Sequence, residues 1–309
     1  MIDVTLIGTG ALQPLPHRAL ACAAFTLFGH TLLLDCGEGT QSAAKAAGIS
    51  LMKITAIALT HYHGDHIFGL PGLMQSLNIA GRTDPLWILG PEGLEEALSP
   101  ILSLCPNLEY EVRLMHLPEK GIPLQDLCSA WPSHARLTSF PTQHRIISQG
   151  YKLNLPRAGK FLPENARALG IPVALWKILQ QGQPVEADGR IIQPHQVMEG
   201  PRRGLSAVYT GDTAPCAPIV EAARDADLFI CEATFGTDEH TERGQEYGHS
   251  TFSQAAQMAC QAQPRALWLT HFSPMIDKPE DFLPSAAAIF PDTHCGRDGM
   301  KATLVFDEV

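Results

Sequence analysis

The chain has no C-x-x-C pair and nowhere approaches the roughly 20 consecutive apolar residues that cross a bilayer as a helix. The first absence argues against a zinc ribbon. The eight cysteines, at 22, 36, 105, 128, 216, 231, 260 and 295, are scattered and read as buried thiols, not a disulfide framework. The second absence excludes a helical membrane anchor. The opening Met1-Ile2-Asp3-Val4-Thr5-Leu6 also lacks the positive segment of an export signal, so a cytoplasmic protein with no membrane partner is expected. Basic residues are scarce, 22 Lys and Arg against 32 Asp and Glu, and a net charge of −10 argues against wrapping nucleic acid with the whole surface.

What remains is an ordinary globular balance, 45% hydrophobic and 17% charged, in 309 residues. One domain with an insertion is expected from that length. The insertion, about 152–203, interrupts the strand and helix rhythm with Pro156, Pro163, Pro172, Pro184, Pro194 and Pro201. It also holds eight basic residues against four acidic ones, a local +4, while the remainder, 14 basic against 28 acidic, sums to −14. Any surface that attracts anions is therefore concentrated in one segment.

Val4–Ile7, Phe25–Phe28 and Thr31–Leu34 are short β-rich runs separated by glycine turns, the pattern of an opening antiparallel sheet. Ile54–Thr60 is a further strand, after which Leu70, Leu73, Met74 and Leu77 recur with helical spacing; Leu86–Leu89 follows as a strand. Later, Ala207–Thr210, Leu228–Cys231 and Ala266–Thr270 are buried-type strands. They deliver Asp212, Glu232 and His271 at their C-terminal ends, where open α/β sheets place their sites. Ser253–Gln261 is predicted to be helical, with Ser250 or Ser253 as cap.

The densest chemistry is His61-Tyr62-His63-Gly64-Asp65-His66, four potential ligands in six residues directly after a strand. A turn fixed by Gly64 can aim His61 and His63 one way and Asp65 and His66 another, giving two neighbouring half-sites. Two zinc ions with open positions need about seven or eight protein ligand atoms, so distant residues must contribute. His271, Asp212 and His144 are the candidates, and an Asp212 carboxylate can bridge cations roughly 3.5 to 4 Å apart. His249 opens a helix near Glu232 in sequence, and a carboxylate that orients an imidazole and raises its pKa makes a proton donor. His17, His30, His116, His134, His195, His240 and His294 lack such a context and read as surface or core residues.

These motifs are similar to those of the metallo-β-lactamase superfamily and, within it, the ribonuclease Z group. The likeness rests on Leu6-Ile7-Gly8-Thr9-Gly10, Asp35-Cys36-Gly37-Glu38-Gly39-Thr40-Gln41, the histidine cluster running into Gly69-Leu70-Pro71-Gly72, Gly211-Asp212-Thr213, Glu232-Ala233-Thr234-Phe235, Gly248-His249-Ser250-Thr251 and Leu269-Thr270-His271. It implies an α/β fold, a four-layer αβ/βα sandwich of two mixed sheets flanked by helices, with 1–309 as one domain and 152–203 as a basic RNA-binding arm. It implies two zinc ions per subunit, with manganese or another divalent ion able to substitute. One would be held by His61, His63 and His144, the other by Asp65, His66 and His271, with Asp212 bridging.

A metal-activated hydroxide would attack a phosphodiester, with Asp65 as acceptor of its proton and Glu232 with His249 assisting the leaving oxygen; Asp35 would brace the metal loop. The implied substrate is precursor tRNA, cut to release its 3′ trailer, and the implied assembly a homodimer. A small-molecule phosphodiesterase or a glyoxalase II-like thioester hydrolase on the same fold is the alternative. Three places depart from the group's pattern: Ile171–Lys177 in the arm, Cys231 where a histidine is common, and Pro274-Met275-Ile276-Asp277 where many members carry an arginine.

Overall fold

A computed structural model describes residues 1–118, 120–200 and 202–307. The chain divides into two compact units, Met1–Asn154 with Ser206–Val305, and Leu155–Leu205 with Phe306–Val309. Pro201, one of the prolines of the insertion, lies outside the described residues, as do Glu119, Glu308 and Val309.

In the larger unit β1 (Ile2–Gly8), β2 (Cys22–Leu27) and β3 (His30–Leu34) pair antiparallel, as their patterns predict. The second strand stops one residue short of the expected end because Phe28 takes a left-handed φ of 51° in the turn with Gly29. β4 (Ile54–Ala58), β5 (Leu86–Gly90) and β6 (Val112–His116) extend the sheet in parallel, and the C-terminal strand Lys301–Leu304 pairs with the other edge of β1. Leu70, Leu73, Met74 and Leu77 of helix Leu70–Ile79 pack with Leu33, Ile57 and Ile88 in one apolar cluster, which accounts for their helical spacing.

The second sheet begins with β7 (Ile122–Pro123), β8 (Arg136–Pro141) and β9 (Gln149–Arg157), joined antiparallel. After the short hairpin β10 (Val185–Ala187) and β11 (Arg190–Ile192) of the smaller unit, the sheet resumes with β12 (Arg202–Tyr209), β13 (Leu228–Glu232), β14 (Leu267–Thr270) and β15 (Thr293–Cys295). Its order is β15-β14-β13-β12-β9-β8-β7, with β12 to β15 parallel. β13 and β14 are buried along their whole length, which is why they read as continuous apolar runs. Helices Ala217–Ala223 and Phe252–Ala262 bury their apolar faces against this sheet in a separate cluster. Two mixed sheets, each carrying its own helices, form the αβ/βα layers expected from the sequence.

Two local expectations are corrected. The cap of helix Phe252–Ala262 is Thr251, neither Ser250 nor Ser253: its hydroxyl accepts from the Gln254 amide while the Gln254 side chain returns to the Thr251 amide. Gly64 does not fix a turn; with His63 as N-cap it opens a short helix, Gly64–Ile67, inside the cluster itself. The backbone at Gly64 is not left-handed, and a Cβ there would lie 2.4 Å from the exposed Phe68 ring, which would have to swing aside.

The smaller unit has regular structure that its prolines hide. Pro163 and Pro172 stand at the starts of helices Pro163–Ala168 and Val173–Gln180, where a missing N–H costs nothing. Ala166, Leu179, Val185, Ile192 and Val197 form a core of its own beneath them.

Candidate metal centre

Five strand ends and one loop supply the site. Asp35 follows β3, His61 to His66 follow β4, Asp212 follows β12, Glu232 ends β13, His271 follows β14, and His144 sits in the loop between β8 and β9. Parallel neighbours such as β13 and β14 keep these ends level, so residues more than 200 positions apart meet. Asp35 and His271 hold left-handed backbone conformations, φ 60° and 59°, which non-glycine residues adopt at a cost of about 1–3 kcal/mol and retain where surroundings fix them.

The residues converge in overlapping groups. His61, His63, His144 and Asp212 have potential ligand atoms within 4.8 Å of one another, as do Asp65, His66 and His271. In the first group Nδ1 of His63 lies 3.0 Å from Nε2 of His61 and 3.1 Å from Nε2 of His144, while Oδ2 of Asp212 lies 3.7 and 4.0 Å from those two Nε2 atoms. In the second, Nε2 of His66 and His271 are 3.3 Å apart, and Oδ2 of Asp65 is 3.8 and 3.6 Å from them. Oδ1 of Asp212 faces this second pair at 3.2 and 3.1 Å. Ligand atoms about 2.0–2.1 Å from a tetrahedral ion are about 3.4 Å apart, in the middle of these spacings.

Proton bookkeeping around the rings supports the same reading. Thr60 Oγ1 donates to the Asp35 carboxylate, so it accepts from Nδ1 of His61 at 3.0 Å. Nδ1 of His66 donates to Asp35 Oδ2 at 2.8 Å, Nδ1 of His144 to the Gly248 carbonyl at 2.8 Å, and Nδ1 of His271 to Thr234 Oγ1 at 2.9 Å. With the proton committed at Nδ1, each ring in its neutral form turns an Nε2 lone pair inward. Lone pairs facing lone pairs, with Asp212 Oδ1 buried and without a hydrogen-bond partner, are an arrangement that a cation satisfies.

Electrostatics agree for three of the rings. Burial pushes His61, His63 and His144 below the ordinary imidazole range, favouring the neutral, ligating form. Burial also opposes charge on Asp65, but the neighbouring His271 and His66 imidazoles hold the carboxyl well below the usual carboxylate range. Asp212, despite complete burial, is held low by His271, His66 and His61. Beside them, burial works against a charged His249, yet the Glu232 carboxylate, 2.8 Å from Nδ1, brings that imidazole up to about 9. Glu232 is itself fixed by the amides of Thr213 and Thr234 and by the Thr234 hydroxyl.

Asp35, expected to brace the loop, is fully buried and accepts from the Thr60 amide and hydroxyl, from Nδ1 of His66 and from the Tyr209 hydroxyl. Sequence reading missed four supporting residues: Thr60, Tyr209, Thr234 and Leu12, whose amide donates to Asp65 Oδ2 at 2.7 Å. Adjacency was the available signal for the two threonines, since Thr60 precedes His61 and Thr234 sits two residues beyond Glu232; Leu12 and Tyr209 carried none. The donors open onto a cleft of about 400 Å³ bordered by Leu20, Glu38, Phe68, Arg145 and Tyr247.

Fold and site together define a metal-dependent hydrolase of the metallo-β-lactamase superfamily. The superfamily's family model matches residues 27–116, and the β-lactamase superfamily domain model matches residues 196–272. Over full length the chain is 39% identical to ribonuclease Z of Lachnoclostridium phytofermentans, covering 100% of this chain and 99% of that one. It is also 39% identical to ribonuclease Z of Agathobacter rectalis, with 100% of both covered. The chain belongs to the ribonuclease Z family. Among solved structures, human tRNase Z, short form, superimposes with a TM-score of 0.67 at 25% identity, covering 98% of this chain and 100% of that one. The Bacillus subtilis metallo-β-lactamase fold protein YhfI, at 19% identity, shares the fold with a TM-score of 0.69, covering 97% and 98%.

Proposed function

We propose that this protein is an endoribonuclease that removes the 3′ trailer from precursor tRNA at a centre of two divalent ions. The reading is supported by full-length identity to ribonuclease Z proteins and carried by one observation, the inward convergence of imidazole lone pairs on the partnerless Oδ1 of Asp212. His61, His63 and His144 would hold one ion, Asp65, His66 and His271 the other, and Asp212 both. Bound there, divalent ions supply Lewis acidity toward a phosphodiester and activate water for attack. Zinc suits imidazole and carboxylate donors, and manganese is an alternative occupant.

The chain's own groups do the rest. Asp65, held ionised, ligates and can accept the proton of the attacking water. His249, kept protonated by Glu232, can give a proton to the leaving oxygen. Asp35, Thr60 and Thr234 hold the rings in one tautomer and orientation.

The basic segment 152–203 is read as the arm that grips the RNA body through phosphate contacts. A homodimer working in the cytoplasm completes the reading; in keeping with it, no helix among the described residues is long and apolar enough to cross a membrane. The test is metal analysis of the purified protein alongside an assay on precursor tRNA with a 3′ trailer. Two ions per chain and trailer release that chelation stops are expected. Hydrolysis of a small phosphodiester or a thioester with the precursor left intact would overturn the RNA assignment.

A further inference from the structure

Next to the metal cleft lies a larger groove of about 860 Å³ that shares Leu12, Arg145, Tyr247 and His249 with it. One wall is a ladder of alternating planar groups. His240 stacks on Phe235, with centroids 5.4 Å apart and planes 17° from parallel. The Arg243 guanidinium lies over Phe235 at 5.8 Å and over Tyr247 at 5.7 Å, and Arg145 covers Tyr247 at 5.2 Å. The ladder begins at the chemistry, because Phe235 meets the His249 ring edge-on at 6.2 Å.

Several features of this wall are what a purely structural role does not need. His240, Arg243, Tyr247 and Arg145 are all exposed. Neither arginine has an ion-pair partner among the described residues, although the chain carries a net charge of −10 and Glu239 stands on the groove's rim. Two positive, planar side chains interleaved with aromatics match a nucleotide in both respects: the rings and guanidinium planes accept a base by stacking, and the charges face phosphate. A duplex hides its base faces, so an unpaired nucleotide is the form that fits.

We propose that the Phe235–Arg243–Tyr247–Arg145 wall is a stacking subsite for an unpaired nucleobase beside the scissile phosphodiester. This rests on the RNA-cleaving reading above. The base can come from the 5′ or the 3′ side of the cut, and the experiment separates the two.

Tyr247→Ala and Arg243→Gln change exposed side chains outside the metal and proton-transfer groups, so folding and hydrolysis of bis(p-nitrophenyl) phosphate should stay at the wild-type level. On precursor tRNA each should raise KM about tenfold, the scale on which loss of one stacked base is felt, with kcat little changed. Substrates abasic at the nucleotide just before or just after the cut locate the base: the one that fills the subsite should lose affinity for wild type but not for Tyr247→Ala. Independently of catalysis, 2-aminopurine at that nucleotide should be quenched by chelator-treated wild type and not by Tyr247→Ala. Unchanged KM in both variants, or equal penalties from both abasic substrates in wild type and variant, would remove the subsite while leaving the endoribonuclease assignment standing. Wild type that cleaves no precursor tRNA would instead remove the assignment itself.

Discussion

The Thr234 hydroxyl stands between Glu232 and His271, giving its proton to Oε2 of one at 2.8 Å and taking a proton from Nδ1 of the other at 2.9 Å. A single hydroxyl thereby couples the carboxylate that sustains His249 to a ring that faces Asp212. Thr234→Val keeps the shape and removes that coupling. Metal affinity should fall roughly 10- to 100-fold, the usual cost of losing a hydrogen bond behind a ligand. Stability should drop by about 1–3 kcal/mol, since Glu232 and His271 are left buried with an unmade bond. Metal titration and thermal unfolding read the two effects, and wild-type affinity in the variant would show that Thr234 only fills space.

His63→Ala and Asp212→Ala test the centre directly. Each should lower hydrolysis by more than the roughly 100-fold attached to a supporting bond, with lower metal content and an unchanged circular dichroism spectrum. Full activity in either variant would exclude the proposed ligand set. Exhaustive chelation of wild type should reproduce the loss, and readdition of zinc or manganese should reverse it.

Gly69 shows how tightly the metal loop is seated. A Cβ there would lie 2.0 Å from the Gly37 carbonyl oxygen and 2.8 Å from that of Cys36, both backbone atoms that cannot swing aside. Gly69→Ala should therefore push apart the Asp35 loop and the segment carrying His66, lowering stability by about 1–3 kcal/mol as overpacking does. Activity should fall with it, because Asp35 orients His66 across that contact. A Gly69→Ala protein that melts with wild type would mean the two segments are free to separate.

How much of this was legible in the sequence differs by residue. Candidate ligands clustered within six positions, or placed at the ends of apolar strands, were visible because backbone direction alone brings strand ends together. The rings' orientation was not, since it depends on hydroxyls such as Thr60 and Thr234 whose partners lie up to 37 residues away. Nor was the left-handed backbone of Asp35 and His271: Asp and His enter that region more readily than most residues, but tertiary contacts decide which of them do. His240 looked like an unremarkable surface histidine until folding laid it on Phe235. In the insertion, prolines that read as breakers stand at helix starts, a distinction that spacing alone does not make.

That distinction bears on the arm. Because Ala166, Leu179, Val185, Ile192 and Val197 make a core of their own, the segment 155–205 has the internal contacts of a folded piece, not a loose linker. Five of the eight basic residues from 152 to 203, Arg157, Lys160, Arg167, Lys177 and Arg190, lie within 155–200, so on the RNA-binding reading removal of that stretch leaves the catalytic residues untouched and takes away the phosphate contacts those five would make. Replacing most of 155–200 by a short glycine-serine link should weaken precursor tRNA cleavage, chiefly through KM, and make the residual activity less sensitive to salt. Hydrolysis of bis(p-nitrophenyl) phosphate should persist at the wild-type rate, because a small diester needs only the centre. Equal losses on both substrates would give the segment a structural role in place of an RNA-binding one.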